Sequence, residues 1–242
     1  MNIAMKTHCL KKTQFYFPLL SVVIVLFSGC KGESKSNDQH ETHKREKHSH
    51  SANEFTDKTT VEKLAKKFEA TERDSAQQPQ KVIDYLGNLR GKTIMDIGAG
   101  TGYFSVKLAV KGANVIAADV SSEFQDYLKQ RIEKDKPGHI ELRKIPYDSP
   151  LLKDAEVDMI FVANTYHHIE NRVDYFSKAK KGLKKDGELI ILDYFKTDMP
   201  DGPPTNMKVS IDEVVAELKK AGYTSFEAEV DLLPYQYLLR VK

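Results

Sequence analysis

The stretch Asp96-Ile97-Gly98-Ala99-Gly100-Thr101-Gly102-Tyr103-Phe104 sets three glycines at alternate positions behind an acid. Glycine allows a sharp backbone turn and lets a ligand approach with no Cβ in the way. A second acid, Asp119, closes the next apolar run. A carboxylate there can accept hydrogen bonds from both hydroxyls of a ribose. Further along, His167 and His168 are adjacent. An imidazole titrates near neutral pH and can take a proton from a nucleophile. Adjacent side chains diverge, so two readings stand. Either one histidine acts on a substrate, or one is tied beneath its loop while the other is solvated.

Two ligand classes use a glycine loop followed by an acid. Dinucleotide enzymes favour G-x-G-x-x-G, with a helix N-terminus facing a pyrophosphate. Here the spacing is Gly98-x-Gly100-x-Gly102, and Asp96 stands just before it. An acid at that place repels a pyrophosphate and suits a cationic or zwitterionic ligand.

The surrounding pattern must position these groups. Val61 to Phe68 and Pro79 to Leu86 read as short helices. Strands are expected at Thr93–Ile97, Asn114–Asp119, Ile140–Ile145, Val157–Ala163, Glu188–Tyr194, Ser225–Leu232 and Tyr235–Val241. Helices between them are expected at Tyr103–Lys111, Ser122–Lys136 and Asn171–Leu183, and a helix to Ala221 opens with the capping box Ser210-Ile-Asp-Glu213. The last two strands read as a hairpin closed tightly at Leu233-Pro234. Alternating β and α segments with Ile- and Val-rich strands imply an α/β fold with a mostly parallel sheet covered on both faces. The glycine loop follows a strand and opens a helix, at the carboxyl edge where such sheets bind ligands.

At these residues the sequence resembles the class I S-adenosylmethionine (SAM)-dependent methyltransferases. Asp96 to Gly102 matches their glycine motif, and Asp119 matches their ribose acid. Asn164-Thr165-Tyr166-His167-His168-Ile169 is similar to the "HH" segment of the small-molecule type. Leu183-Lys-Lys-Asp-Gly187 and Leu218-Lys-Lys-Ala-Gly-Tyr223 resemble two later motifs. The resemblance implies a Rossmann-like, seven-stranded, mostly parallel sheet with an antiparallel C-terminal hairpin. It implies SAM as cofactor, held by Asp96, Gly98, Ala99, Gly100, Thr101, Gly102, Tyr103, Phe104, Asp119, Val120 and Asn164. His167 and His168 are the candidate catalytic pair. There is one departure. Many relatives place an aspartate after the third strand for the adenine amino group, and Ile145 stands there instead. Backbone groups or Asp148 would then meet the base. Arg73 is expected either to pair with the SAM carboxylate or to sit in a surface salt bridge. The aromatics of Tyr235-Gln236-Tyr237 read as core first and pocket lining second. The proline-rich segment from Lys196 to Lys208 reads as a loop that shapes acceptor specificity.

The front of the chain carries a different signal. Lys6, Lys11 and Lys12 precede an apolar run from Phe15 to Phe27. As a helix that run is roughly 20 Å long, short of the roughly 30 Å hydrocarbon core, which fits a secretory signal better than a membrane span. Phe27-Ser28-Gly29-Cys30 resembles the lipobox of bacterial lipoproteins. That implies cleavage after residue 29, a diacylglycerol on Cys30 and acylation of its new N-terminus. Two or three acyl chains make a stable anchor. Lys31 is not the aspartate that holds such proteins in the inner membrane, so the outer membrane is the expected address. Residues 30–53 contain His40, His43, His48 and His50 with no apolar period. They read as a disordered tether without a fixed metal site. Residues 54–242 are then the folded domain.

The 37 basic residues are matched by 35 acidic ones, and the two cysteines are Cys9 and Cys30. This balance weighs against nucleic acid as a partner and leaves the mature chain without a disulfide. The expected protein is a monomeric, lipid-anchored methyltransferase acting on a small molecule. The alternative is a non-catalytic envelope lipoprotein that binds SAM or a nucleoside. The anchor and the cofactor pull apart, because SAM is made in the cytoplasm.

Overall fold

The computed structural model describes residues 58–200 and 202–242. The signal segment, Cys30 and the histidine-rich tether lie outside them. Three helices come first: α1 (Lys58–Phe68), α2 (Thr71–Gln77) and α3 (Pro79–Leu86). Pro79 opens α3, where its fixed φ suits a first turn and its missing N–H costs nothing. The alternating part follows: β1 (Thr93–Ile97), α4 (Tyr103–Val110), β2 (Asn114–Asp119), α5 (Ser122–Asp135), β3 (Ile140–Lys144), β4 (Val157–Ala163), α6 (Arg172–Gly182) and β5 (Leu183–Tyr194). The chain closes with α7 (Ile211–Lys220), β6 (Phe226–Glu229) and β7 (Gln236–Val241). Among the described residues no helix is long and apolar enough to cross a membrane.

The strands form one seven-stranded sheet in the order β3-β2-β1-β4-β5-β7-β6. β1 to β5 are parallel, and β7 inserts antiparallel between β5 and β6. The fold is the Rossmann-like α/β arrangement that the sequence implies. The order reverses at β1, whose neighbours are β2 on one side and β4 on the other. The crevice outside the carboxyl ends of such a pair is the ligand position of open α/β sheets.

Strand side chains alternate between faces. Met95 and Ile97 join Ile116, Ile160, Val162 and the aromatics Tyr166 and Phe176 on one face. Ile94, Val115, Met159 and Phe161 meet Phe104 and Leu108 of α4 on the other. Asp96 shares the second face with Ile94 and is buried with it, at 2 % exposure.

Three local expectations are corrected. Thr71–Gln77 is a helix, α2, which its polar sequence hid. β5 begins at Leu183 rather than at Glu188, so Leu183–Gly187 is an irregularity within a strand. Val157 pairs with Leu183 but Met159 pairs with Glu188, so residues 184–187 bulge out of the ladder. The β6–β7 connection is not a tight turn at Leu233-Pro234, because it runs from residue 230 to 235. The amides of Asp231 and Leu232 both donate to Glu229 Oε1, at 2.9 and 3.1 Å, and shape that longer loop. The Ser210–Glu213 capping box forms as its spacing predicts.

Candidate active site

The carboxyl ends of β1 and β2 are joined through main-chain and carboxylate bonds. The amides of Gly98 and Ala99 donate to Ala118 O at 2.9 and 3.0 Å. Asp119 Oδ2 accepts the Gly100 amide at 2.8 Å, and Oδ1 accepts the Ser121 amide at 2.9 Å. Burial raises the Asp119 pKa, and these amides oppose the shift. Gly98 has φ +75, and a Cβ there would fall 2.3 Å from Thr165 Oγ1. Gly100 has φ +54, yet a Cβ there would meet nothing within 4 Å. The first glycine is needed for packing against the β4 loop. The second faces open space on the ligand side.

Asp96 lies beneath the loop. Ser105 Oγ of α4 donates to its Oδ2 at 2.6 Å. Burial lifts its pKa to about 6, against the pull of that bond, and the charge of Asp119 adds to the rise. Thr101 Oγ1 is sealed from solvent and has no partner.

A cleft of about 260 Å³ opens at the switch point. Ile97 and Gly98 form its floor, and Val120, Ile145 and Tyr147 form the β2–β3 wall. Thr165, His168, Ile169 and Glu170 form the β4 wall, with Tyr175 of α6 behind. A larger cavity of about 540 Å³ sits at the opposite, amino edge of the sheet. It holds none of the expected site residues, and its charges pair among themselves as Lys184 with Asp158 and Arg240 with Glu188.

Several expected residues are placed differently. Phe104 packs edge-on to Phe161, with centroids 5.1 Å apart, so its side chain is core. Ala99 packs with Ala117 and Leu128. Tyr103 turns to α2, where its hydroxyl donates to Asp74 Oδ1. Among the described residues Arg73 has no salt-bridge partner within 4.0 Å. It donates to Gln77 Oε1 and Phe68 O, and its guanidinium lies 3.8 Å over the Tyr103 ring. Gln77 in turn donates to Tyr194 OH at 3.2 Å, so α2 latches over the loop. Asn164 adopts φ +55, and its Oδ1 accepts from Gln236 Nε2. Asp148 is exposed, while Ile145 is buried in the cleft wall. Tyr237 is core, with no exposed surface.

The histidines separate. His167 Nδ1 lies 2.9 Å from Asp193 Oδ1 and 3.0 Å from Oδ2, with both side chains buried. His168 lines the cleft, and its Nδ1 is sealed without a partner. Burial, and then the neighbouring His167, push the His168 pKa down to about 4. Sequence reasoning missed Asp193 as a site residue. Its signal was that of the acid near the end of the fifth apolar strand.

Residues 95–191 match the family model of the methyltransferase domain. A SAM-dependent methyltransferase of Aquifex aeolicus superposes with a TM-score of 0.69 at 26% identity, covering 76% of this chain and 97% of that one. Over those residues the chain is similar to methyltransferase domains, and its fold is that of a SAM-dependent methyltransferase. Among relatives by sequence, a tRNA U34 carboxymethyltransferase of Haemophilus influenzae is 28% identical over 136 residues, 54% of this chain and 40% of the relative. An uncharacterized methyltransferase of Mycobacterium bovis is 30% identical over 101 residues, 42% of this chain and 40% of the relative. The chain thus spans less than half the length of these curated relatives.

The residues at this edge of the sheet fit SAM. The open space over Gly100 admits a ligand against the backbone. Asp119 retains lone pairs for ribose hydroxyls beside the two amides it accepts. The carboxylate of Asp96 suits an ammonium. The apolar slot of Val120, Ile145 and Tyr147 suits a purine face.

Proposed function

We propose that the chain transfers the methyl group of SAM to a small-molecule acceptor while tethered to the outer membrane through a lipid on Cys30. The observation that carries the catalytic half is the bond from the Gly100 amide to Asp119 Oδ2, which makes the glycine loop and the ribose acid one unit. Bound there, SAM supplies a methyl group on a sulfonium, whose departure leaves a neutral sulfur. The residues around it orient the acceptor and exclude water, which supplies several kcal/mol of catalysis. Latching of α2 through Gln77 and Arg73 supports that water-excluding role.

The size of the cleft, and a lining free of lysine and arginine among the described residues, support a small acceptor. Nucleic acid needs cations for its phosphates. The similarity to a tRNA-directed relative covers only part of that protein. Support for the tether is the apolar run that ends at Phe27-Ser28-Gly29-Cys30. Lys31 in place of an inner-membrane aspartate favours the outer membrane.

Titration calorimetry with SAM and a scan of small acceptors with methyl-labelled SAM test the catalytic half. Tight SAM binding without transfer to any acceptor would favour a binding module. No SAM binding at all would reject the reading.

A further inference from the structure

The larger concavity, at the amino edge of the sheet, has no part in the proposed transfer. Five of its nine lining residues are lysine or arginine, and three are acids. Lys184 Nζ lies 2.8 Å from Asp158 Oδ2, and Arg240 Nη1 lies 2.7 Å from Glu188 Oε2, so those four groups neutralise one another. Lys92, Lys185 and Lys242 are left beside Asp186, and among the described residues none of the three makes an ion pair. Building on the proposed tether, which brings the domain to a bilayer, we propose that this edge is a docking face for anionic phospholipid headgroups. Docking there turns the cleft away from the bilayer.

Helix ends account for only part of the positive charge. A helix C-terminus carries a partial negative charge that nearby lysines offset. The last turns of α6 and α7 hold Lys180, Lys181, Lys219 and Lys220 for that purpose, and both helices lead into strands that start at this edge. Lys92 instead precedes β1, Lys185 sits in the bulge of β5 and Lys242 follows β7. No helix contains them, and they add to the charge already gathered there.

The same edge exposes an apolar side chain. The turn that carries Lys92 is bonded to the turn after α4: the Gly91 amide donates to Gly112 O, and the Asn114 amide to Lys92 O, both at 2.8 Å. Val110, the last residue of α4, leads into that second turn and is 66 % exposed. Cations around an exposed valine suit a surface with phosphates outside and acyl chains beneath.

Two other phosphate sources fit less well. Strands of five to seven residues set the two edges of the sheet roughly 15–25 Å apart. A nucleic acid held at the amino edge would keep its bases that far from the cleft, and Val110 would give it no contact. A free phosphate calls for converging donors in an enclosed site, whereas Lys185 and Lys242 are exposed. For a bilayer the distance is an advantage. With the amino edge on the headgroups, the cleft opens to the aqueous side, and a water-soluble acceptor reaches it without crossing the surface.

The experiment uses the full chain with Cys30→Ser, so that no acyl chain contributes, and vesicles of phosphatidylcholine alone or mixed with phosphatidylglycerol. The chain should bind the mixed vesicles more tightly. Lys92→Gln, Lys185→Gln and Lys242→Gln together should weaken that binding about 100-fold, since each lysine near an anionic surface contributes about fivefold. Lys63→Gln, Lys66→Gln and Lys67→Gln together, an equal loss of charge on α1, should change it little. The chain has no tryptophan, so single replacements report position. Val110→Trp emission should shift to the blue with mixed vesicles. Val230→Trp, just past β6 at the carboxyl edge, should not shift. All variants should keep the far-ultraviolet dichroism and SAM affinity of the parent. Equal vesicle affinity in the Lys92, Lys185 and Lys242 variant, or a blue shift at Val230→Trp and not at Val110→Trp, would overturn the inference. So would tighter binding to an RNA duplex than to mixed vesicles, or release by inorganic phosphate where chloride of equal ionic strength has no effect. Failure of the parent to bind SAM would strike the cofactor reading alone, and the vesicles would still decide the docking face.

Discussion

Asp119 and Gly100 are joined by a hydrogen bond of 2.8 Å from amide to carboxylate, so the acid proposed to meet the ribose also holds the glycine loop. Removing it should therefore act twice. Hydrogen bonds to a charged group contribute roughly 1.5–3 kcal/mol each, so two lost ribose bonds weaken SAM by about two to three powers of ten. Asp119→Ala should also lower stability by about 1–3 kcal/mol, because buried amides lose their acceptor. Asp119→Asn should be intermediate in both. Calorimetry with SAM and urea unfolding on the two variants check this.

Gly98 is predicted to be the least replaceable glycine of the loop. Its φ of +75 strains any other residue, and a Cβ would enter the Thr165 side chain. Strain and overpacking together should cost Gly98→Ala about 2–4 kcal/mol. Adding Thr165→Gly should recover the packing part and leave the backbone part. Equal unfolding midpoints for parent and Gly98→Ala would contradict the loop geometry.

Burial lifts the Asp96 pKa from 3.8 to about 6. Between those values the folded chain holds a proton that the unfolded chain has released. Stability is therefore highest below the unfolded value and falls as pH rises through about 6, by ~3 kcal/mol in all. SAM affinity should move the opposite way, strengthening as Asp96 ionises to meet the ammonium. Melting curves and calorimetry at pH 5, 6 and 7.5 should show the two trends crossing. Asp96→Asn should flatten both, with weaker SAM binding throughout.

Cys30→Ser should abolish lipid labelling and leave an uncleaved precursor in cells. Feeding a fatty-acid analogue and reading gel mobility provide the measurement. Equal labelling of mutant and parent would exclude the anchor.

The sequence made the frame legible because strand periodicity and glycine spacing are local signals. β1, β2 and β4 and helix α3 have the ends their patterns predict. Contacts made across the chain were not legible. The Arg73–Tyr103 stack and the Gln77–Tyr194 bond join residues far apart in sequence, and α2 has no apolar stripe to announce it. The histidine pair was legible, but the contact of His167 with Asp193 was not, because only the sheet brings the two together. Phe104 read as a ligand contact because it follows the loop. The turn of α4 points it into the core instead.

The position of β7 has a consequence for synthesis. Of the described strands it is the last to leave the ribosome, yet it is interior, paired with β5 on one side and β6 on the other. A nascent chain that stops short of Gln236 has β6 without a partner and β5 as an open apolar edge, a template for mispairing. Completion of the sheet is thereby withheld until translation of its final strand, and a deletion of a few residues from that end should be more damaging than a deletion of the same size in α1.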